Sequence, residues 1–365
     1  MIKILTIVGA RPQFVKASAI SRVILNNFKD EIEEIIVHTG QHYDENMSFS
    51  FFEELKIPKP KYNLEISGGK HGYMTGRMIE AIEKVLIIEK PDWVLLYGDT
   101  NSTLAGAISA AKLNIRIVHI EAGLRSFNMK MPEEINRILT DRVSSLLFCP
   151  TTSAVSNLKK EGVVKGVHNV GDVMYDVALF YEKLSKNTSK IKSKINLKEQ
   201  DKFILATVHR AENTDDPNKL KEVLIALAEM SKNNPIVFPI HPRTLKLIND
   251  YKFNHLLENI IVLPPLSFLE MIDLEKSSSL IITDSGGVQK EAFFYKTRCL
   301  TIRDETEWIE TIESGANKLI SADSNSIVKE AKLILNSNTK VQFQDKPYGD
   351  GNAALDILTT IINYS

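Results

Sequence analysis

Short apolar runs recur along this chain, and most of them stop at a cluster of charged, histidine or glycine residues. Trp93 to Tyr97 ends at Gly98-Asp99-Thr100, and Ile115 to Ile120 ends at Glu121-Ala122-Gly123-Leu124-Arg125. A run that is mostly apolar and bounded by polar residues reads as a strand buried in a parallel sheet. Such sheets bind ligands in the crevice beyond the carboxyl ends of their strands. The pattern therefore restricts the chain to the α/β class. It also marks Asp99 and Glu121, with Glu133 and Glu134 of a third cluster at Pro132 to Arg137, as candidates for chemistry.

The first half begins with a strand-like Ile4 to Val8, and Gly9-Ala10-Arg11-Pro12 turns it into a helix with Ala17, Ile20 and Ile24 on one face. Pro12 suits a first helical position, where its missing N–H costs nothing. A helix N-terminus presents free N–H groups and a positive dipole end, so Arg11 and Lys16 beside it suit an anionic group better than they suit open solvent. No G-x-G-x-x-G fingerprint of a dinucleotide site occurs. Ile32 to His38 is a second strand, and the polar stretch Thr39 to Asp44 after it reads equally as a ligand loop or a turn. Met74 to Lys90 places Met74, Met78, Ile82 and Val85 on one face of a crossover helix.

A further helix is expected to start near Pro132. Its Glu133–Arg137 and Arg137–Asp141 spacings are those of ordinary helix-supporting ion pairs, and acids in a first turn favour the dipole. Two adjacent glutamates exceed what capping requires, so one of them is expected to face the crevice. Leu146 to Cys149 is the next strand, and His168 to Val170 leads to Gly171-Asp172. From Lys183 to Lys202 the chain is lysine-rich without a sustained apolar pattern, which places a domain boundary between about Gly171 and Lys202.

The second half repeats the architecture without repeating the sequence. Phe203 to Val208 ends at His209-Arg210-Ala211-Glu212-Asn213, Ile236 to Ile240 at His241-Pro242-Arg243, Leu280 to Thr283 at Asp284-Ser285-Gly286-Gly287, and Cys299 to Ile302 at Arg303-Asp304-Glu305. Two doubly wound domains with polar strand ends are expected to face each other across one cleft. In the Asp284 to Glu291 stretch, Gly286 and Gly287 permit close backbone approach and the following helix points its N-terminus at the ligand, an arrangement that fits a diphosphate. Glu291, one turn into that helix, is placed to accept from a pair of ribose hydroxyls. The tail from Lys346 to Gly351 is turn-rich, and Asn352 is a candidate cap for a last helix with Leu355, Leu358 and Ile362 on one face.

At 365 residues with 43% hydrophobic content, the chain exceeds what one core usually spans, about 250 to 300 residues. Forty-five basic and 46 acidic residues balance, so no global field favours nucleic acid or membrane. No signal-peptide pattern or membrane-length apolar run is visible, so a cytoplasmic location is expected. Cys149 and Cys299 sit within apolar runs far apart in sequence and read as buried free thiols.

Taken in order, these motifs resemble the non-hydrolysing UDP-N-acetylglucosamine 2-epimerases, whose two doubly wound Rossmann-like domains are of the GT-B type. The resemblance is carried nearly end to end by Gly9-Ala10-Arg11-Pro12 with Lys16, Gly98-Asp99-Thr100, Glu121 to Arg125, Pro132 to Arg137, His209 to Asn213 and Asp284 to Gly287. It implies an N-terminal domain over 1–175, a UDP-binding domain over 176–345, and a C-terminal helix within 346–365 that packs back on the N-terminal domain. The implied reaction expels UDP from C1 as the C2 proton leaves, then adds UDP to the 2-acetamidoglucal with a proton on the other face.

By the same resemblance Asp99, Glu121 and Glu133 are the catalytic carboxylates and His209 assists UDP departure. Arg11, Lys16, Arg137, Arg210, His241, Ser285, Gly286, Gly287, Glu291 and Arg303 are the implied UDP-sugar contacts, with no cofactor, no metal and a homodimeric state. Where many family members read Arg-Asp-x-Thr-Glu-Arg-Pro-Glu, this chain has Arg303-Asp304-Glu305-Thr306-Glu307-Trp308-Ile309-Glu310. Trp308, with Gly72 to Glu80 and Ser126 to Met129, is more similar to the branch acting on UDP-2,3-diacetamido-2,3-dideoxyglucuronate. Gln41 and His42 match part of the family's regulatory site, but Asp44-Glu45 departs from it, so activation by substrate is not expected. The rival readings are a hydrolysing 2-epimerase, a GT-B glycosyltransferase, a nucleotide-sugar sensor, and a metal enzyme using His119 or His209. The last ranks low because its acids come from different loops without ligand-pair spacing.

Overall fold

The computed structural model describes residues 1–41, 57–188, 191–198, 200–337 and 346–365; His42, Asp44 and Glu45 of the regulatory match lie outside them. Two compact units divide the chain. One comprises Met1–Val177 with Lys346–Ser365, the other Ala178–Asp345.

The first unit is built on strands β1 (Ile2–Val8), β2 (Ile32–His38), β3 (Tyr62–Asn63), β4 (Trp93–Tyr97), β5 (Arg116–Ile120), β6 (Leu146–Cys149) and β7 (Val167–Asn169). They lie in the order β3-β2-β1-β4-β5-β6-β7, every neighbour parallel. The chain winds outward from β1 in one direction, then returns to pair β4 on its other side, so the strand order reverses between β1 and β4. That reversal is the position at which doubly wound sheets hold ligands. All five residues of β4 are buried, as the unbroken apolar run requires of a strand covered on both faces.

The second unit holds β8 (Ile204–Thr207), β9 (Ile236–Pro239), β10 (Ile261–Leu263), β11 (Leu280–Thr283), β12 (Cys299–Ile302) and β13 (Asn317–Ile320), in the parallel order β10-β9-β8-β11-β12-β13. Here the reversal falls between β8 and β11. Both cysteines are free and buried. Among the described residues no helix is long and apolar enough to cross a membrane.

The last helix departs from its sequence expectation, and the lysine-rich stretch after Tyr181 carries helix: the Val173–Thr188 helix runs into it and a short Ile191–Lys194 helix follows. Its buried stripe, Val173, Val177, Tyr181 and Ser185, is carried at fourfold spacing and ends on a small polar residue, which hides the period from an apolar count. The last helix, Ala353–Tyr364, buries Ala353, Ala354, Ile357, Leu358 and Ile361, leaving Leu355 exposed. Asn352 makes no side-chain cap. Instead the Asp176 carboxylate accepts from Ala353 N at 3.2 Å and Ala354 N at 2.8 Å, which pins this helix against the first unit. At its far end Trp93 Nε1 donates to Ser365 Oγ at 2.9 Å.

Candidate active site

Three strand ends of the first unit carry the acidic cluster. Beyond β1, Gly9 and Ala10 donate to Gln13 Oε1 at 2.9 and 3.1 Å, while Gln13 Nε2 donates to the Tyr97 carbonyl and to Thr103 Oγ1, both at 2.9 Å. One buried amide thus ties the β1 turn to the end of β4. The approach is close at Gly9, where a Cβ would lie 2.1 Å from Ser102 Oγ and 2.2 Å from Thr39 Oγ1. Gln41 Oε1 accepts from the same Ser102, at 2.7 Å from its hydroxyl. Arg11 opens the Arg11–Val23 helix and is half-buried.

Lys16, on the inward face of that helix, is buried and bonds Glu121 Oε2. Glu121 has φ +72°, in the left-handed region that a branched or bulky residue enters only under constraint, at a cost of about 1–3 kcal/mol. Its N–H and that of Ala122 both donate to the Phe148 carbonyl, at 3.0 and 3.1 Å, so the end of β6 holds the turn in place. Gly98, at φ +59°, lies beneath the pair: a Cβ there would meet Glu121 Oε2 at 3.0 Å and Lys16 Nζ at 3.3 Å.

Asp99 follows directly, one-third exposed, with Oδ2 2.7 Å from Arg137 NH2. Its carbonyl accepts from Asn136 Nδ2 at 2.8 Å, so the Pro132–Val143 helix grips Asp99 twice. This corrects the expected helix pairs. The Arg137 guanidinium turns to Asp99 and to Glu134, 3.4 Å from NH1, and meets Glu133 only through Nε donating to its backbone carbonyl at 3.3 Å. Asp141 instead serves His119 and Arg125. Glu134, one of the two first-turn acids, is buried and accepts from Ser126 N and Phe127 N, both at 2.9 Å, so it fixes the loop before the helix. Glu133 is the exposed member of the pair.

The second unit gathers its polar residues around the Gly286–Phe294 helix. Asp284, fully buried at the end of β11, accepts from His209 N at 3.1 Å, Arg210 N at 3.0 Å and Asn213 Nδ2 at 3.2 Å. The buried carboxylate thereby shapes the turn that presents His209, whose half-exposed ring has Nδ1 3.4 Å from Asp284 Oδ1. Ser285 caps the helix by accepting from Val288 N at 3.4 Å. A Cβ on Gly286 would lie 3.0 Å from Glu307 Oε1, 3.7 Å from Arg210 NH2 and 3.8 Å from Arg303 NH1, and one on Gly287 would lie 3.9 Å from Glu291 Oε2. Arg210, Arg303, Ser285, Gly286, Gly287 and Glu291 are therefore neighbours at one helix N-terminus, which suits a phosphate group.

Arg303 is buried, donates from NH1 to Glu307 Oε2 at 3.1 Å and keeps a buried Nε without a protein partner. His241 caps the Pro242–Asp250 helix, its ring 6.3 Å from that of His209. Burial, then His209 and Arg243, hold the His241 imidazole below its ordinary pKa. Trp308 is buried with Lys290 Nζ 3.8 Å above its ring.

A family model described as UDP-N-acetylglucosamine 2-epimerase matches residues 26–362. The chain belongs to the UDP-N-acetylglucosamine 2-epimerase family. It is 54% identical over 356 residues to the UDP-2,3-diacetamido-2,3-dideoxy-D-glucuronate 2-epimerase of Pseudomonas aeruginosa, covering 96% of this chain and 97% of that one. A UDP-N-acetylglucosamine 2-epimerase of Methanococcus maripaludis is 44% identical over 368 residues, covering 99% and 98%. The crystal structure of the Methanocaldococcus jannaschii UDP-GlcNAc 2-epimerase in complex with UDP-GlcNAc and UDP superposes with a TM-score of 0.90 at 42% identity over all of both chains. The two doubly wound units are those of the GT-B type.

Within this epimerase, Asp99, Glu121, Lys16 and Arg137 come together in the first unit, whereas Glu133 joins them by its backbone alone among the contacts described above. Sequence reasoning missed Gln13, Asp284 and Glu307 as organisers. Gln13 and Asp284 left a trace: a polar residue on the inner face of an apolar helix, and an acid closing an apolar strand ahead of two glycines. Glu307 left none, because its role depends on where Arg303 lies.

Proposed function

We propose that the chain is a non-hydrolysing 2-epimerase of a UDP-2-acetamido sugar. In the reaction the C2 proton passes to a carboxylate, the C2–H electrons form the C1–C2 double bond, and the C1–O bond breaks with its electrons leaving on UDP. UDP then returns to C1 while a proton is delivered to the opposite face of C2. The observation that carries the reading is the pair of strand-end carboxylates, Asp99 and Glu121, each held by a buried cation. Such fixed acids suit proton transfer at carbon, and we assign them with Glu133 to the acid and base roles.

His209, set by Asp284 and half-exposed, is the proposed donor to the departing diphosphate. Ser285, Gly286, Gly287, Arg210, Arg303 and His241 hold the UDP, Glu291 its ribose, and Arg11, Lys16 and Arg137 the sugar end. Residues 1–175 with the last helix form the domain bearing the acids, and 176–345 the one bearing the nucleotide. The 54% identity to a UDP-2,3-diacetamido-2,3-dideoxy-D-glucuronate 2-epimerase supports that sugar over UDP-N-acetylglucosamine as the substrate. The enzyme works in the cytoplasm as a homodimer. The exposed stripe Ile135, Leu139 and Val143, beside exposed Phe127 and Met129, supports a second copy as its cover.

Incubation with each UDP sugar in deuterated water tests the reading. Deuterium at C2 of an intact, inverted UDP sugar is the expected result. Turnover that leaves C2 fully protonated overturns the mechanism, and free sugar with stoichiometric UDP indicates the hydrolysing reaction instead.

A further inference from the structure

His119 is fully buried, and both of its ring nitrogens face acceptors. Nδ1 lies 2.7 Å from Asp141 Oδ1 and Nε2 lies 2.7 Å from the Gly98 carbonyl. A neutral imidazole carries one N–H and satisfies only one of them, whereas an imidazolium donates to both. The surrounding charges agree. Asp141 Oδ2 is 2.8 Å from Arg125 NH1 and accepts from Gly123 N at 3.2 Å, and Arg125 forks onto Glu161 at 2.7 and 2.9 Å. The buried Asp141 carboxylate thus serves one guanidinium and one imidazole, while Glu161, a quarter exposed, takes the other side of the Arg125 fork. Burial alone would push the Asp141 carboxyl up, yet His119 and Arg125 hold it below the usual aspartate value.

The position of the ring gives this set its consequence. Strand pairing between β4 and β5 ends with Tyr97 opposite Ile120, and the next peptide, Gly98 to Asp99, leaves the ladder. The His119 donor fixes the Gly98 carbonyl, hence the plane of that peptide and the direction in which Asp99 departs. Through Asp141 the same ring is tied to Gly123, on the far side of the left-handed Glu121, and to the helix that holds Asp99 by Arg137. Both ring nitrogens are thus occupied by protein acceptors, which removes His119 from the metal ligands considered above.

We propose that His119 is a positioning residue for the epimerase reaction, a buried double donor that sets the separation of the Gly98–Asp99 and Glu121–Gly123 turns. The inference rests on the 2-epimerase reading only for its kinetic arm. His119→Gln keeps an amide donor where Nε2 reaches Gly98, whereas His119→Asn keeps one only where Nδ1 reaches Asp141. With both variants folded by circular dichroism, His119→Asn is expected to lose about 100-fold in kcat with KM nearly unchanged, because small misplacement of reacting groups suffices for such a loss. His119→Gln is expected to recover at least about a tenth of wild-type kcat, since the Gly98 contact is the one that aims Asp99.

Ring-nitrogen NMR on the wild-type protein at neutral pH supplies an arm independent of turnover. Two N–H couplings on the His119 ring are expected, and a ring with one N–H overturns the double donor. Equal kcat in the two folded variants overturns the positioning role. If either variant fails to fold, the NMR result alone decides. Failure of the wild-type protein to epimerise any UDP sugar would count against the functional reading and leave the NMR arm standing.

Discussion

The guanidinium of Arg137, buried one turn into its helix, meets Asp99 Oδ2 at 2.7 Å while Asp99 stays one-third exposed. The cation is fixed and the acid is accessible, which is the arrangement a proton-transfer group requires. Arg137→Lys keeps the charge but loses the planar fork that also reaches the Glu133 carbonyl and Glu134. We expect kcat/KM for UDP-sugar epimerisation to fall about 10- to 100-fold, a loss of about 1.4–2.8 kcal/mol in transition-state stabilisation. Steady-state epimer formation measures it, and an unchanged kcat/KM would separate Arg137 from the reaction.

His209→Ala removes a ring that is half-exposed and shaped by Asp284 mainly through its backbone N–H. Folding should therefore be nearly unaffected. Loss of one donor aimed at developing charge typically lowers kcat about 100- to 1,000-fold, and that loss is expected with Tm unchanged. A variant that unfolds while retaining its rate per folded molecule would assign His209 to the core.

Much of this was readable in the residues, for a physical reason. Strands buried on both faces must be largely apolar, so β4, β6, β11 and β12 declare themselves, and polar residues that end them mark the ligand-facing side. Edge strands lack that constraint. Tyr62–Asn63 and Asn317–Ile320 carry polar residues and escape notice. Side-chain partners were least legible. The sequence spacing favours Arg137–Asp141, yet Asp141 is taken by His119, 22 residues earlier in the chain, because both lie inside the packed layer between sheet and helix. Such pairings depend on topology rather than on local period.

Gly9 offers a packing test. An alanine Cβ there would lie 2.1 Å from Ser102 Oγ and 2.2 Å from Thr39 Oγ1, far inside contact distance, in a turn whose N–H groups are held by Gln13. Gly9→Ala is expected to destabilise the protein by about 1–3 kcal/mol through overpacking. Adding Ser102→Ala, which removes one of the two hydroxyls, should return part of the loss. Urea unfolding midpoints of the single and double variants check the coupling, and strict additivity would contradict the contact.

Asp176 links stability to pH. Burial raises its pKa to about 6, against the lowering effect of the Ala354 and Ala353 N–H groups, with Asp172 raising it further and Arg22 lowering it. The folded value lies above the unfolded one, so folding favours the protonated form. Its stabilising effect is present below the unfolded value of 3.8, falls as pH rises, and is gone above about 6. A shift of this size corresponds to about 3 kcal/mol between the two ends of that window. Asp176→Asn, which cannot titrate, should differ from the wild-type protein by an amount that changes between about pH 4 and pH 6 and is constant at higher pH. Urea unfolding of both proteins across that range measures the difference. A pH-independent difference would mean that the carboxylate pinning the last helix has an ordinary pKa.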